Sequence, residues 1–427
     1  MAWLALVLIP LALVGAPLFV IIGALACFLF VLDGQQTSNV MIEAYRLAGQ
    51  AVLVAIPLFT FAGYMMAESG TPKRLVRVSR ALLGYLPGGL AIIALVTCAF
   101  FTAFTGASGV TIIALGGLLM PAMIQDKYPE KFNLGLLTTS GSLGLLFAPS
   151  LPIIVYGYIA GTNIDQLFRA GILPGIFLII ILTAYAVWMG FKAKIPRTKF
   201  SVKELWQSVW EAKWEIPLPI LVVVGIYAGW YTAAEASAIA AFYVLVVEVF
   251  FYRDLSLQKD VPRIMVESMI LVGGILVILG VALGLTSYLT FAEVPDAIFH
   301  WIKQYIHSKF YFLIALNIFL LLVGCMMDIF SAIIVVVPLI IPLAKGYDIN
   351  PVHLGIIFLT NLQIGYSTPP VGLNLFIGSF RFQKPIVKLY AASIPFLILY
   401  LLALVVITYW PELSLFLVPE GQGLLLP

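Results

Sequence analysis

Apolar residues in this chain neither alternate nor recur at a helical period. They run on in long blocks: Ala2–Leu32, Gly49–Ala67, Ala81–Gln125, Phe132–Asn163, Ala170–Phe191, Ile216–Tyr231, Ala236–Val247, Ser268–Ala292, Phe310–Ala344, Ile349–Phe380 and Leu389–Trp410. Asp328 is the one Asp, Glu, Lys or Arg inside any of them. About 20 consecutive apolar residues make a helix long enough to cross a bilayer, so the pattern predicts an all-α polytopic membrane protein. Ala2–Leu32 is interrupted by Pro10, Gly15 and Pro17 and reads as two helices. It lacks a basic leader segment, so no cleavable signal peptide is expected. Ala81–Gln125 runs 45 residues without a charge, too long for one crossing, and Gly106 and Gly109 interrupt it. It reads as a re-entrant helical hairpin, and Phe310–Ala344 reads as a second. Phe132–Asn163 breaks at Ala148–Pro152, and Ile349–Phe380 breaks at Ser367–Pro370. Lys192–Glu215 is polar and basic, with Trp206, Trp210 and Trp214 at helical spacing. Tryptophan gathers at membrane–water boundaries, so this segment reads as an interfacial linker.

Composition narrows the class. Of 427 residues, 62% are hydrophobic and 10% charged, and the mean hydropathy is +1.09. A soluble domain carries roughly 25% charged residues, so this chain cannot cover a water-facing surface. That excludes a soluble enzyme, a nucleic-acid binder and a disordered scaffold. Cys27, Cys98 and Cys325 lie in apolar blocks at no metal-ligand spacing and read as inert thiols. His300, His307 and His353 lie near block ends and read as surface residues.

Charge placement sets sidedness. Lys and Arg collect on the cytoplasmic side of a membrane protein. Placing the Lys73–Arg80 loop, Lys127 and Lys131, the linker, Arg253–Arg263 and Arg381–Lys388 inside puts 18 basic residues there and leaves five outside. This arrangement puts the ends of the first hairpin inside, those of the second outside, and both chain termini outside. Sliding the chain by 220 residues then superposes the two parts: Ser108 meets Asp328, Thr111 meets Ser331, Ser140 meets Thr360, and Ala148-Pro149 meets Thr368-Pro369. The expected architecture is an inverted-topology repeat, common among secondary transporters. Residues 1–191 form the first repeat, with its hairpin at about 81–125 and broken helix at 132–163. Residues 192–215 are the linker. Residues 216–427 form the second repeat, with its hairpin at about 310–344 and broken helix at 349–380.

Irregular backbone at membrane depth persists only where it is buried or lines a cavity. Two hairpin tips, Thr105–Gly109 and Gly324–Asp328, and two helix breaks, Ala148–Pro152 and Gly365–Pro370, meet that description. Broken helices free carbonyl oxygens at one end, which suit sodium, and N–H groups at the other, which suit an anion. Pairing each tip with the break of its own half gives two candidate sodium sites. Their ligands are drawn from Thr105, Gly106, Ser108, Ala148 and Ser150, and from Gly324, Asp328, Thr368 and Pro369. A carboxylate inside an apolar hairpin must face a partner or water, so Asp328 is expected to ligate a cation, carry a proton or order its tip. Ser108, Ser140, Ser150, Asp328, Asn361 and Ser367 are the candidate solute contacts. Glu235 reads as a helix-start residue or a lateral contact.

Gly15-Ala16-Pro17 before an apolar helix, Pro57-Leu58-Phe59, the basic Lys73–Arg80 stretch, Phe104–Gly109, Thr232–Ala236 and Tyr366–Gly372 together carry a resemblance that covers essentially the whole chain. It resembles the large membrane subunit of tripartite ATP-independent periplasmic (TRAP) transporters, and within them looks closest to the sialic-acid transporters. The resemblance implies a multi-pass protein of the bacterial inner membrane. It implies a small four-helix membrane subunit, a separate chain here, and a periplasmic substrate-binding protein as partners. It implies inward transport of an organic anion on a sodium gradient, the hairpins and broken helices sliding as an elevator against the other helices. It places Ser108 at the first sodium tip and Gly324 and Asp328 at the second. Ala107 departs from the serine or other small residue of many relatives. A channel is set aside, because duplicated hairpins with broken helices argue for alternating access, and two further readings compete. One is a sodium–carboxylate symporter that needs no binding protein. The other is an intramembrane serine protease, suggested by Gly106-Ala107-Ser108-Gly109, which requires a membrane-embedded histidine beside Ser108.

Overall fold

The computed structural model describes Pro10 and residues 16–195 and 200–419. The first helix expected in Ala2–Leu32 falls outside the described residues; the second spans Leu18–Leu32. Among the described residues every regular element is a helix. Seven helices among the described residues are long and apolar enough to cross a membrane, or eight if Glu130–Leu146 and Leu151–Ala160, bent by 46°, are taken as one span. Short polar side chains start many of them by capping free N–H groups. Asn163 caps Ile164–Lys192, Asn350 caps Pro351–Gly365, and Thr232 with Glu235 forms a reciprocal capping box on Ala233–Val246.

The first hairpin has arms Gly89–Thr105 and Ser108–Gln125, which pack on one another. The second has arms Lys309–Met326 and Ile329–Lys345, which barely touch away from their tip. The first broken helix runs Glu130–Thr139, continues as a 3-10 turn over Ser140–Leu146, and restarts at Leu151–Ala160. The second runs Pro351–Gly365 and restarts at Leu373–Phe382. Gly89, Ser108, Glu130, Leu151 and Ile164 open helices whose counterparts open at Lys309, Ile329, Pro351, Leu373 and Ile386, 220 to 222 residues later. The offset lengthens at the hairpin tip, from 220 between the first arms to 221 between the second. Cis peptide bonds therefore occupy matching places before Pro149 and Pro370, and the expected match of Ala148-Pro149 with Thr368-Pro369 is one residue short.

Packing crosses between the halves. Leu18–Leu32 rests on Asp260–Phe291, and Ala233–Val246 rests on Ala55–Glu68. Leu151–Ala160 packs on Ile329–Lys345, and Leu373–Phe382 packs on Ser108–Gln125. The closing helix Ile386–Tyr409 packs on Glu130–Thr139, and its counterpart Ile164–Lys192 on Pro351–Gly365. Each contact has a partner with the halves exchanged.

Three expectations are corrected. The Lys73–Arg80 stretch is a helix, Thr71–Leu83, not a loop. Leu75, Val76 and Leu83 pack on the core while Lys73, Arg77 and Arg80 are exposed. His353 is 3% exposed, since its helix lies inside the molecule and its Nε2 sits 3.2 Å from the Thr408 carbonyl. Trp214 falls beyond the linker helix Val202–Glu211 and stacks on Phe251, whereas Trp206 and Trp210 stay exposed and stack on each other.

Candidate ion and solute site

The hairpin tips and helix breaks come together at the centre of the fold. Gly106 ends its arm at φ +63°, a left-handed conformation that glycine takes without steric cost. A Cβ on it would meet Leu151 at 2.5 Å, so the first tip lies on the restart of the first broken helix. Thr102 Oγ1 lies 2.7 Å from both the Thr111 hydroxyl and the Gly141 carbonyl. Thr105 Oγ1 is 3.5 Å from Thr111 Oγ1. Thr102 and Thr111 were not among the sequence candidates. Thr102 sits one turn before Thr105, and Thr111 aligns with Ser331 in the repeat; those were the available signals.

The second tip meets the second break in the same way. The Gly372 N–H donates to the Cys325 carbonyl at 3.0 Å, and the Ile329 N–H donates to the Tyr366 hydroxyl at 2.5 Å. Gly324 and Gly365 touch backbone to backbone, so a Cβ on Gly365 would lie 2.4 Å from the Gly324 carbonyl carbon. Asp328 caps the outgoing arm. Its Oδ1 accepts from the N–H groups of Phe330 and Ser331 at 3.0 and 3.1 Å, and its Oδ2 accepts from the Ser331 hydroxyl. Of the roles expected for Asp328, tip ordering is the one this geometry displays directly. Thr368 donates to the Ile364 carbonyl at 2.8 Å, which leaves its oxygen lone pairs free to accept.

Two contacts bind the halves together here. Ser108 Oγ donates to Asn374 Oδ1 at 2.7 Å, and Ser142 Oγ donates to the Gln363 carbonyl at 3.3 Å. Ser108 thus pairs with an amide, which is no general base, so no Ser–His dyad forms at this serine. Ser140 is buried on the 3-10 turn. Asn361 turns aside: its Nδ2 donates to Asn317 Oδ1 at 2.6 Å and to the Ile357 carbonyl at 2.8 Å.

The electrostatics follow from helix ends. Ser108–Gln125, Leu151–Ala160, Ile329–Lys345 and Leu373–Phe382 all begin at this centre, and their first-turn N–H groups favour negative charge. Gly89–Thr105, Lys309–Met326, Pro351–Gly365 and the 3-10 turn Ser140–Leu146 end there and offer carbonyl oxygens. Ser150 Oγ, Ser367 Oγ and Asn374 Nδ2 are buried and have no hydrogen-bond partner among the described residues. A buried polar atom left unpaired costs about 1–3 kcal/mol, so these atoms fit a site completed by an ion, a solute or water. The two breaks differ in access. Ala148 and Ser150 are buried, at 7% and 0%, whereas Pro369, Pro370 and Val371 are exposed.

Paired hairpins, paired broken helices and an oxygen-lined centre with one carboxylate, Asp328, define a membrane permease of the secondary-transporter class. The chain matches the family model "Tripartite ATP-independent periplasmic transporter, DctM component" over residues 3–413. It belongs to that family, as a multi-pass protein of the inner membrane and the large permease component. It is 34% identical over 403 residues to the C4-dicarboxylate TRAP transporter large permease protein DctM of Pseudomonas aeruginosa, covering 94% of this chain and 93% of the relative. It is 31% identical over 424 residues to the ectoine/5-hydroxyectoine permease UehC of Ruegeria pomeroyi, covering 97% and 98%. It is 34% identical over 408 residues to the isethionate permease DctMQ of Oleidesulfovibrio alaskensis, covering 94% of this chain and 64% of that protein. The crystal structure of the Alcanivorax borkumensis YdaH transporter superposes with a TM-score of 0.62 at 15% identity over 87% of this chain and 86% of that one, a likeness of fold. The relatives are named for C4-dicarboxylate, ectoine and isethionate, and the expected narrowing to sialic acid finds no support among them.

Proposed function

We propose that this permease carries an organic anion into the cytoplasm on a sodium gradient, and that two sodium ions bind where each tip meets its own break. The observation that carries the reading is the meeting of helix starts, helix ends and unpaired buried hydroxyls at one centre. Sodium takes oxygen ligands. The carbonyls around Thr105 and Gly106, with Ser108, Ala148 and Ser150, suit one ion. The carbonyls of Gly324 and Pro369, with Thr368 and Asp328, suit the other. A solute carboxylate lies between them, against helix N-termini and near Ser108, Ser140, Ser150 and Ser367. Asn361 supports this region through Asn317, and Asp328 holds the second tip in shape. Sodium that orders the tips raises solute affinity, and the solute raises sodium affinity by the same factor. Residues 1–191 and 216–427 act as two repeats joined by the interfacial segment 192–215. The hairpins and broken helices move as one body against the other helices. A small membrane subunit and a periplasmic binding protein complete the machine. Sialic acid, a carboxylate with many hydroxyls, remains the solute proposed from the family resemblance.

Uptake by reconstituted vesicles tests this, with sialic acid, a C4-dicarboxylate and isethionate as solutes. Uptake is expected to require an inward sodium gradient, the small subunit and the binding protein together. Uptake without the binding protein would identify the stand-alone symporter instead. Indifference to sodium would remove the coupling.

A further inference from the structure

Behind the first break lies a cavity of about 240 Å³. One wall is a stripe on the first hairpin arm, with Val96, Ala99 and Ala103 at helical spacing. Facing it are Pro219 and Val223 of the helix Pro217–Tyr227. The floor is Phe147 and Ala148, which lead into the break itself. All of its lining residues are apolar. The cavity's rim residue Val96 is 40% exposed, and Ile180, Ile220 and Val224, which follow the lining residues Ile179, Pro219 and Val223, are 59%, 58% and 45% exposed. It is therefore continuous with the lipid-facing surface.

We infer that this crevice takes one acyl chain of a membrane phospholipid, which braces the first break from behind. Water has no hydrogen-bond partner in an apolar cavity and does not fill it. At about 30 Å³ for a group the size of a water molecule, the volume holds on the order of eight methylenes. Hydrocarbon gains nothing by leaving lipid for protein on hydrophobic grounds. An unfilled gap, however, leaves its lining without dispersion contacts, and a neighbouring tail supplies them. The chain then rests on Phe147 and Ala148. The Phe147 ring fills the space beside Gly175, where a Cβ would meet it at 2.6 Å, so the floor is itself wedged between helices. The site's existence does not depend on the solute reading, because lipid contact is measured without transport.

The test uses the full chain in vesicles of phosphatidylethanolamine and phosphatidylglycerol doped with a phospholipid bearing a diazirine mid-chain. After irradiation, labelled peptides are mapped by mass spectrometry. Label on the segments holding Val96–Ala103 and Pro219–Val223 is expected to exceed, severalfold, that on the lipid-facing stretch Ile394–Leu402. Ala103→Leu, which fills the cavity, is expected to bring it down to that level, and Val223→Phe provides the same change from the opposite wall. Equal labelling throughout, or labelling untouched in a folded variant of either kind, overturns the proposal. So does loss of the label when the small membrane subunit is added, which would make the occupant a protein helix.

Discussion

Asp328 and Ser108 both stand at the start of an outgoing hairpin arm, Asp328 as the residue before its helix and Ser108 as the first residue of its own. Asp328 caps its own arm with a carboxylate, whereas Ser108 reaches across to Asn374 in the other half. Asp328→Ala removes the cap, worth about 0.5–2 kcal/mol. It is expected to lower the thermal unfolding temperature and to cut sodium-dependent uptake at least tenfold. Asp328→Asn keeps an accepting oxygen and is expected to recover the stability while uptake stays low. Recovery of both would reduce Asp328 to a purely structural role. Ser108→Ala leaves Asn374 Oδ1 unpaired in the interior, and sodium titration of uptake is expected to shift to higher concentration. Gly365→Ala drives a methyl group into the Gly324 backbone, where no flexible side chain can yield. Wild-type uptake by that variant would show that the second tip and break need not touch.

At the scale of elements, the helix Thr71–Leu83 leads into the first hairpin and is fastened by charge. Arg74 reaches Glu215 at the end of the linker, Glu248 at 3.1 Å and Asp254 at 2.7 Å, and its guanidinium lies 3.7 Å over the Tyr252 ring. Burial acts to lower the Arg74 pKa, but hydrogen bonds to Asp254 and Glu215 outweigh it and hold the group above its ordinary value. Glu215 and Glu248 are almost wholly buried, so Arg74→Ala strands two carboxylates. Breaking such a buried pair costs about 3–5 kcal/mol. Calorimetry of the purified protein is expected to show that loss, with partial recovery in Arg74→Ala/Glu248→Gln. No recovery would mean that Arg74 acts through packing on Tyr252 alone. The uneven legibility of the chain is clear here. Uncharged block length exposed the hairpins and breaks, because bilayer thickness limits one crossing. The Arg74 cluster was invisible, since its members lie up to 180 residues apart. Counting the charges in Lys73–Arg80 hid the apolar face beneath them. At the site, the tip and break residues were legible through glycine and proline. The Ser108–Asn374 and Ser142–Gln363 contacts were not, because they depend on how two distant halves cross.

For the whole molecule, the exchanged packing makes each half part of the other's core. Coexpressed fragments split within Lys192–Glu215 are expected to form a complex that restores uptake. Either fragment alone is expected to be degraded or aggregated. A stable, monodisperse single fragment in size-exclusion chromatography would contradict this interdependence.

That crossing also bears on how the protein is made. Leu151–Ala160 leaves the ribosome well before Ile329–Lys345, the helix that will cover it. At roughly 5–20 residues per second, the delay is on the order of ten to forty seconds. Throughout that interval the nascent first half lacks the second-half partners of Ser108 and Ser142, whose hydroxyls must meanwhile find water or first-half backbone carbonyls.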